Sequence, residues 1–166
     1  ALGAIAIAVE DAVPALQRGG RIVYAGAGTS GRIGVQDGTE LPPTYDWPAD
    51  RLVFAMAGGL DALVRSTEQA EDNEAAGAQA MADAKVGPND VVIGVAASGT
   101  TPFTIGALRA SAAAGAVTIA IANNPGVPTL FFSLEMSWRQ VVSRVTAITT
   151  GVPTWELEAE LAAGRE

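Results

Sequence analysis

Four short apolar runs constrain this chain more than any other feature of its sequence. They are RIVYA (Arg21 to Ala25), LVFAM (Leu52 to Met56), VVIGVA (Val91 to Ala96) and the run from Val117 to Ala122. Runs of this length, rich in β-branched residues and bounded by Gly, Pro and Asn, read as buried strands. The stretches between them have helical character. Helices are expected over residues 1–17, from near Arg32, over 60–84 in one or two pieces, and over 103–114. Gly19-Gly20 and Gly115 are stop signals, Gly87-Pro88-Asn89-Asp90 is a turn, and Pro14 is expected to kink or end the first helix. Strands that alternate with helices predict a parallel sheet covered on both faces, and near-continuous apolar strands fit that burial. The expected fold class is therefore α/β, a doubly wound three-layer αβα sandwich.

Composition then limits the chemistry. At 166 residues the chain is one domain with little to spare. Apolar residues at 49% and charged residues at 17% exclude a disordered chain. The 10 basic and 18 acidic residues give a net charge of −8, which argues against nucleic acid or an anionic membrane as partner. There is no Cys and no His. Thiolate or imidazole metal sites, Cys nucleophiles and a Ser-His-Asp triad are thereby excluded. Acid and base work near neutral pH falls to carboxylates, Lys, Tyr or water. No run reaches the roughly 18 apolar residues of a membrane span. The opening segment is broken by Glu10 and Asp11 and reads as a helix, not a signal peptide. A cytoplasmic protein without cofactor or metal is expected, and the missing initial Met fits a fragment.

Two strand ends carry the same loop chemistry. One is Gly28-Thr29-Ser30-Gly31 and the other Ser98-Gly99-Thr100-Thr101. Glycines admit an anion to the backbone, hydroxyls donate to its oxygens, and the next helix adds N–H groups and partial positive charge. Ligands of open α/β sheets sit beyond these strand ends. Together the two loops suit a phosphate monoester, or a phosphate and a sugar hydroxyl. The alternative is that both are only tight turns with Ser and Thr caps. The first loop also fits G-x-G-x-x-G, but LVFAM runs into Ala57-Gly58-Gly59 without the acidic residue a dinucleotide site needs.

Two carboxylates lie in informative surroundings. Glu40 sits between the first loop's helix and Pro42-Pro43, and Glu71 sits in the acidic stretch Glu68 to Asn73, where Asp72 or Asn73 suits a helix cap. Spacing alone does not place either at the strand ends. The plainer reading of each is a solvated surface acid.

In order along the chain, GRIVYAGAGTSGRIGVQDGTELPPTY, AGGLDALVRSTEQAEDNEAAG, GPNDVVIGVAASGTTPFTIGAL and AGAVTIAIANNPG resemble the N-acetylmuramic acid 6-phosphate etherases. These are sugar isomerase (SIS) domain enzymes, and the resemblance covers about residues 18–127. It implies an SIS-type, flavodoxin-like sheet and a lyase that removes the D-lactyl ether at C3 of N-acetylmuramate 6-phosphate. The products are N-acetylglucosamine 6-phosphate and D-lactate. By resemblance Glu40 is the acid and base for lactate departure and water addition, and Glu71 is the base at C2. Gly28, Thr29, Ser30, Ser98, Gly99, Thr100 and Thr101 match the phosphate- and sugar-binding loops. A homodimer whose sites borrow residues across the interface is implied as well. A non-catalytic sugar-phosphate sensor built on the same domain, or an inactive etherase fragment, is the competing reading.

The sequence departs from the family pattern at several places. Thr100 stands where the family usually has Arg, which removes a bidentate anion contact. Asp37-Gly38-Thr39-Glu40 replaces D-A-S-E, and Gly38 costs a helix roughly 1 kcal/mol relative to Ala. Leu41 replaces a common Cys. After Gly126 the resemblance stops. Residues 128–166, with Phe131-Phe132-Ser133-Leu134-Glu135-Met136-Ser137, resemble a fragment of a replicative hexameric DNA helicase without its Walker A loop. The expected organisation is a truncated sugar-phosphate domain over 1–127 and an atypical, fused segment over 128–166.

Overall fold

The computed structural model describes residues 2–122 except Ser66 and Glu68. The tail beyond Ala122, with the expected division between 127 and 128, lies outside the described residues. Within them the order is α1 (Leu2–Gln17), β1 (Ile22–Gly26), α2 (Gly28–Thr39), α3 (Leu41–Tyr45), β2 (Leu52–Met56), α4 (Glu74–Asp83), β3 (Val91–Ala96), α5 (Pro102–Ala113) and β4 (Val117–Ala122). Short 3-10 turns occupy Ala49–Arg51, Leu60–Leu63 and Ala70–Asp72.

The sheet has four parallel strands in the order β2-β1-β3-β4. All four apolar runs became strands. β1 begins one residue later than expected, because the Arg21 N–H donates to Asp90 Oδ1 (2.9 Å). On one face Val23, Ala25, Ala55 and Val92 pack with Met81 of α4 and Ala107 of α5. On the other, α2 lies over Tyr24, Phe54 and Val95. This is the three-layer sandwich that the alternation of runs predicts.

Three helical expectations change. α2 begins at Gly28, not near Arg32, so the first hydroxyl-rich loop is itself the helix's opening turn. Leu60–Leu63 and Ala70–Asp72 are short 3-10 turns where a helix is expected. Gln69 adopts a left-handed φ of 63°, and α4 starts only where Asn73 Oδ1 accepts from Ala76 N (2.9 Å). α1 runs through Pro14 to Gln17. Glu10 and Pro14 are both exposed, so the hydrogen bond that Pro14 cannot make is left to water.

The face of α2 toward the sheet is glycine: Gly31, Gly34 and Gly38 are its buried residues. A Cβ on Gly38 would lie 2.8 Å from Tyr24 Cε2 and 3.0 Å from Phe54 Cζ. Those rings stack with centroids 6.0 Å apart. The helix-propensity cost of Gly38 is thus tied to the aromatic pair beneath it. The Tyr24 hydroxyl donates to Asp37 Oδ2 (2.9 Å) and anchors the last turn of α2. Burial raises the Asp37 carboxyl above its ordinary range, against the opposing hydrogen bond from Tyr24.

The strands' entry edge is tied by Asp90, which is buried. Its carboxylate accepts from Arg21 N (2.9 Å), Arg21 Nε (3.1 Å), Arg21 Nη2 (2.7 Å) and Gly87 N (3.0 Å). The Val91 N–H donates to Arg21 O and the Val117 N–H to Asp90 O, so this knot joins β1, β3 and β4. Burial alone would raise the Asp90 pKa. The bonds from Arg21 and Gly87, with the Arg21 charge, outweigh it and hold the group below the usual carboxylate range. An acid with a lowered folded pKa contributes stability that is complete above its unfolded value of about 3.9 and is lost as pH falls through the folded value. Asp90→Asn is expected to cost about 2–3 kcal/mol at pH 7. The gap between the two proteins should narrow below about pH 4 in urea melts. A gap unchanged between neutral and strongly acid pH would contradict this assignment.

Candidate active site

β1 leads out to β2 on one side and β3 on the other, so the crevice between the ends of β1 and β3 is a topological switch point. Both hydroxyl-rich segments border it. Gly28, at φ 52°, turns the chain from β1 into α2. A Cβ on Gly26 would lie 2.8 Å from Gly31 Cα, so the two flanking glycines let α2 start against the strand. The G-x-G-x-x-G pattern is therefore explained by packing at the strand-to-helix turn.

The two segments are bonded to each other. Ser30 Oγ accepts from the Ala97 N–H (3.2 Å), across 67 positions of sequence. In the second segment Ser98 Oγ accepts from Thr100 N (3.2 Å) and Thr100 Oγ1 (3.0 Å), which leaves its own proton to donate outward. Gly99 takes φ 69° and Thr101 is the N-cap of α5. Thr29, Ser98, Gly99 and Thr100 are exposed at the crevice, and Ser30 and Thr101 are half-buried.

Beside this turn lies a cavity of about 350 Å³. Gly28, Thr29, Arg32, Thr67, Gln69 and Glu71 line it, over a floor that includes Ala27 and Ala57. A Cβ on Gly28 would lie 4.0 Å from Glu71 Oε2, so this carboxylate faces the bare backbone of the turn. Arg32 Nε donates to Ala62 O (3.0 Å) and Nη2 to Arg65 O (3.3 Å). Ala27, Ala57 and Phe103 pack together beneath.

Glu71 is thus at the strand ends, and Glu40 is not. Glu40 caps the far end of α2, and a helix of 12 residues spans about 18 Å. Its side chain is exposed, and one copy of the chain does not bring it into the cavity with Glu71. Arg32 is the site residue that motif reading passes over. It follows Gly-Thr-Ser-Gly directly, and that position read as a helix start. Among the described residues no group of three or more acidic side chains is placed to hold a metal ion.

A family model described as the glucokinase regulatory protein N-terminal SIS domain matches residues 4–112. This chain belongs to that SIS family. It is 57% identical over 123 residues to the N-acetylmuramic acid 6-phosphate etherase of Deinococcus radiodurans, covering 74% of this chain and 40% of that protein. With the etherase of Mesorhizobium japonicum the identity is 52% over 121 residues, 73% of this chain and 39% of that protein. The SIS chain therefore spans about 40% of the length of these relatives. A phosphoheptose isomerase structure from Francisella tularensis superposes with a TM-score of 0.53 at 20% identity, covering 72% of this chain and 62% of that one. That likeness shows a shared fold. The SIS model ends at residue 112, and neither it nor these relatives support the helicase-like reading of residues 128–166. No helix among the described residues is long and apolar enough to cross a membrane.

Proposed function

We propose that this chain carries the sugar-phosphate-binding part of an N-acetylmuramic acid 6-phosphate etherase, acting on a small-molecule sugar phosphate as a homodimer. One observation carries the reading: Glu71 faces the backbone of the Gly28 turn, in a cavity beside two bonded hydroxyl-rich segments. The 50–57% identity to proteins of that name supports it. In the proposed reaction the phosphate is held by Ser98, Gly99, Thr100 and Thr101 and by Thr29 and Ser30. Opening of the sugar ring makes the C2 proton acidic, being next to the aldehyde. Glu71 removes it. The electron pair forms the C2–C3 double bond as the C3–O bond to lactate breaks, and Glu40 protonates the departing oxygen. Water then adds at C3 with Glu40 as base, and C2 regains a proton. No metal or cofactor is required, in keeping with carboxylates as the available acids and bases.

The test is D-lactate release from N-acetylmuramate 6-phosphate. Glu71→Gln is expected to lower turnover by about 10²–10⁴-fold, the usual worth of a positioned base. Binding of N-acetylglucosamine 6-phosphate should remain. Substantial turnover by that variant would remove the mechanism. The second reading is a non-catalytic sugar-phosphate-binding domain, favoured by the regulatory protein that names the family model. It predicts sugar 6-phosphate binding by the parent chain without lactate release.

A further inference from the structure

Among the described residues, the charged side chains lining the cavity are Arg32 and Glu71, one of each sign. The residues of the second hydroxyl-rich segment, Ser98 to Thr101, do not line it. They lie past the Gly28 turn, joined to it through Ser30 and Ala97. The site therefore has two parts, which meet at Thr29 on the cavity's edge. One offers hydroxyl and backbone donors, and the other offers a fixed cation beside a carboxylate. A phosphate seated on Ser98 to Thr101 leaves Arg32 to a different group.

Arg32 is built to hold still. Two of its nitrogens donate to the carbonyls of Ala62 and Arg65, so the guanidinium is fixed against the 60–65 wall of the cavity. A guanidinium has five donors in a rigid fork suited to a carboxylate. An anionic substituent entering this cavity would meet Glu71, and like charges at short range repel unless a cation offsets them.

We propose that Arg32 is the specificity residue for the substrate's second anion: it recognises the carboxylate of the lactyl substituent, while the hydroxyl-rich segments take the phosphate. The proposal rests on the etherase reading, which supplies a substrate with two anionic groups. Arg32 acts by direct contact with the ligand and holds the wall in place as it does so.

The test compares two ligands that differ by the lactyl group, N-acetylmuramate 6-phosphate and N-acetylglucosamine 6-phosphate. Their affinities are measured by calorimetry in the Glu40→Gln chain, which suppresses turnover. This parent should prefer the muramate ligand by about tenfold or more, the usual worth of a charge-assisted pair. Adding Arg32→Gln should abolish the preference and change N-acetylglucosamine 6-phosphate binding by less than about twofold. Arg32→Lys keeps the charge without the fork and should retain only part of the preference, so it serves where the Gln variant does not fold. Equal weakening of both ligands would overturn the proposal, since bracing the wall or binding phosphate would have that effect. An unchanged preference, or none in the parent, would overturn it as well. A parent that binds neither ligand would sink the etherase reading first.

Discussion

Gly77→Ala is expected to destabilise the chain by about 3 kcal/mol or more, a large share of a typical domain stability of about 5–15 kcal/mol. Helices α4 and α5 meet backbone to backbone. A Cβ on Gly77 would fall inside the contact shell of Phe103 O and within 2.9 Å of both Phe103 C and Ala107 N. A Cβ on Gly106 would collide with Glu74 O and come within 2.8 Å of Glu74 C. Each glycine thus admits the other helix's main chain. The obstructing atoms are backbone, which cannot rotate away, so the helices must separate. Separation would loosen Met81 and Ala107 over Val92, and Phe103 over Ala27 and Ala57. Gly106→Ala should cost a similar amount. The double variant should cost less than the sum, because helices parted by one methyl have room for the second. Gly3→Ala is the control. Nothing lies within 4 Å of its added Cβ, and it should be neutral or stabilising by up to about 1 kcal/mol. The measurement is chemical denaturation of all four variants. A Gly77→Ala protein within about 0.5 kcal/mol of the parent would mean that the helices do not cross this closely.

That crossing was not legible in the sequence, and the reason is general. A run such as VVIGVA declares burial through its own side chains, so β3 falls on the residues expected of it. A glycine in a helical stretch declares only low propensity. Whether it is a stop, a tolerated cost or a contact depends on what lies opposite. Gly38 read as a penalty, yet it faces the rings of Tyr24 and Phe54. Gly28 to Gly31 read as a loop because all four residues are glycine or hydroxyl-bearing and disfavour helix. Their helical turn is instead fixed by the Gly31 N–H donating to Ala27 O (2.9 Å) and by α2 lying on the sheet. The same limit governs the site. Glu71, Thr29 and Ser30 belong to motifs near strand ends, and parallel topology delivers such ends to one edge. Arg32 is found only by its bonds to the 60–65 segment. Glu40 belongs to a conspicuous motif, but a helix of known length carries it to the other end of the layer.

On the proposed etherase reading, with its homodimer, the separation of Glu40 from Glu71 has a direct consequence for activity. If the two glutamates serve one reaction and one chain cannot bring them together, the site must take them from two copies. Glu40→Gln alone and Glu71→Gln alone should each abolish D-lactate release. Mixing the two inactive proteins under conditions that exchange subunits should restore it. In a mixed dimer one site receives the intact Glu71 of one copy and the intact Glu40 of the other, and the second site receives both substitutions. Random exchange makes half of the dimers mixed, each with one working site of two, so about a quarter of the parent activity should return. A site built within one chain predicts none, because every site in every dimer would lack one glutamate. Recovery should follow the rate of subunit exchange and should be absent when the double variant replaces either partner. Full single-variant inactivity without recovery, in dimers shown to have exchanged, would place both carboxylates in the same copy. The 18 Å or so along α2 would then have to be closed by a rearrangement that this fold does not display.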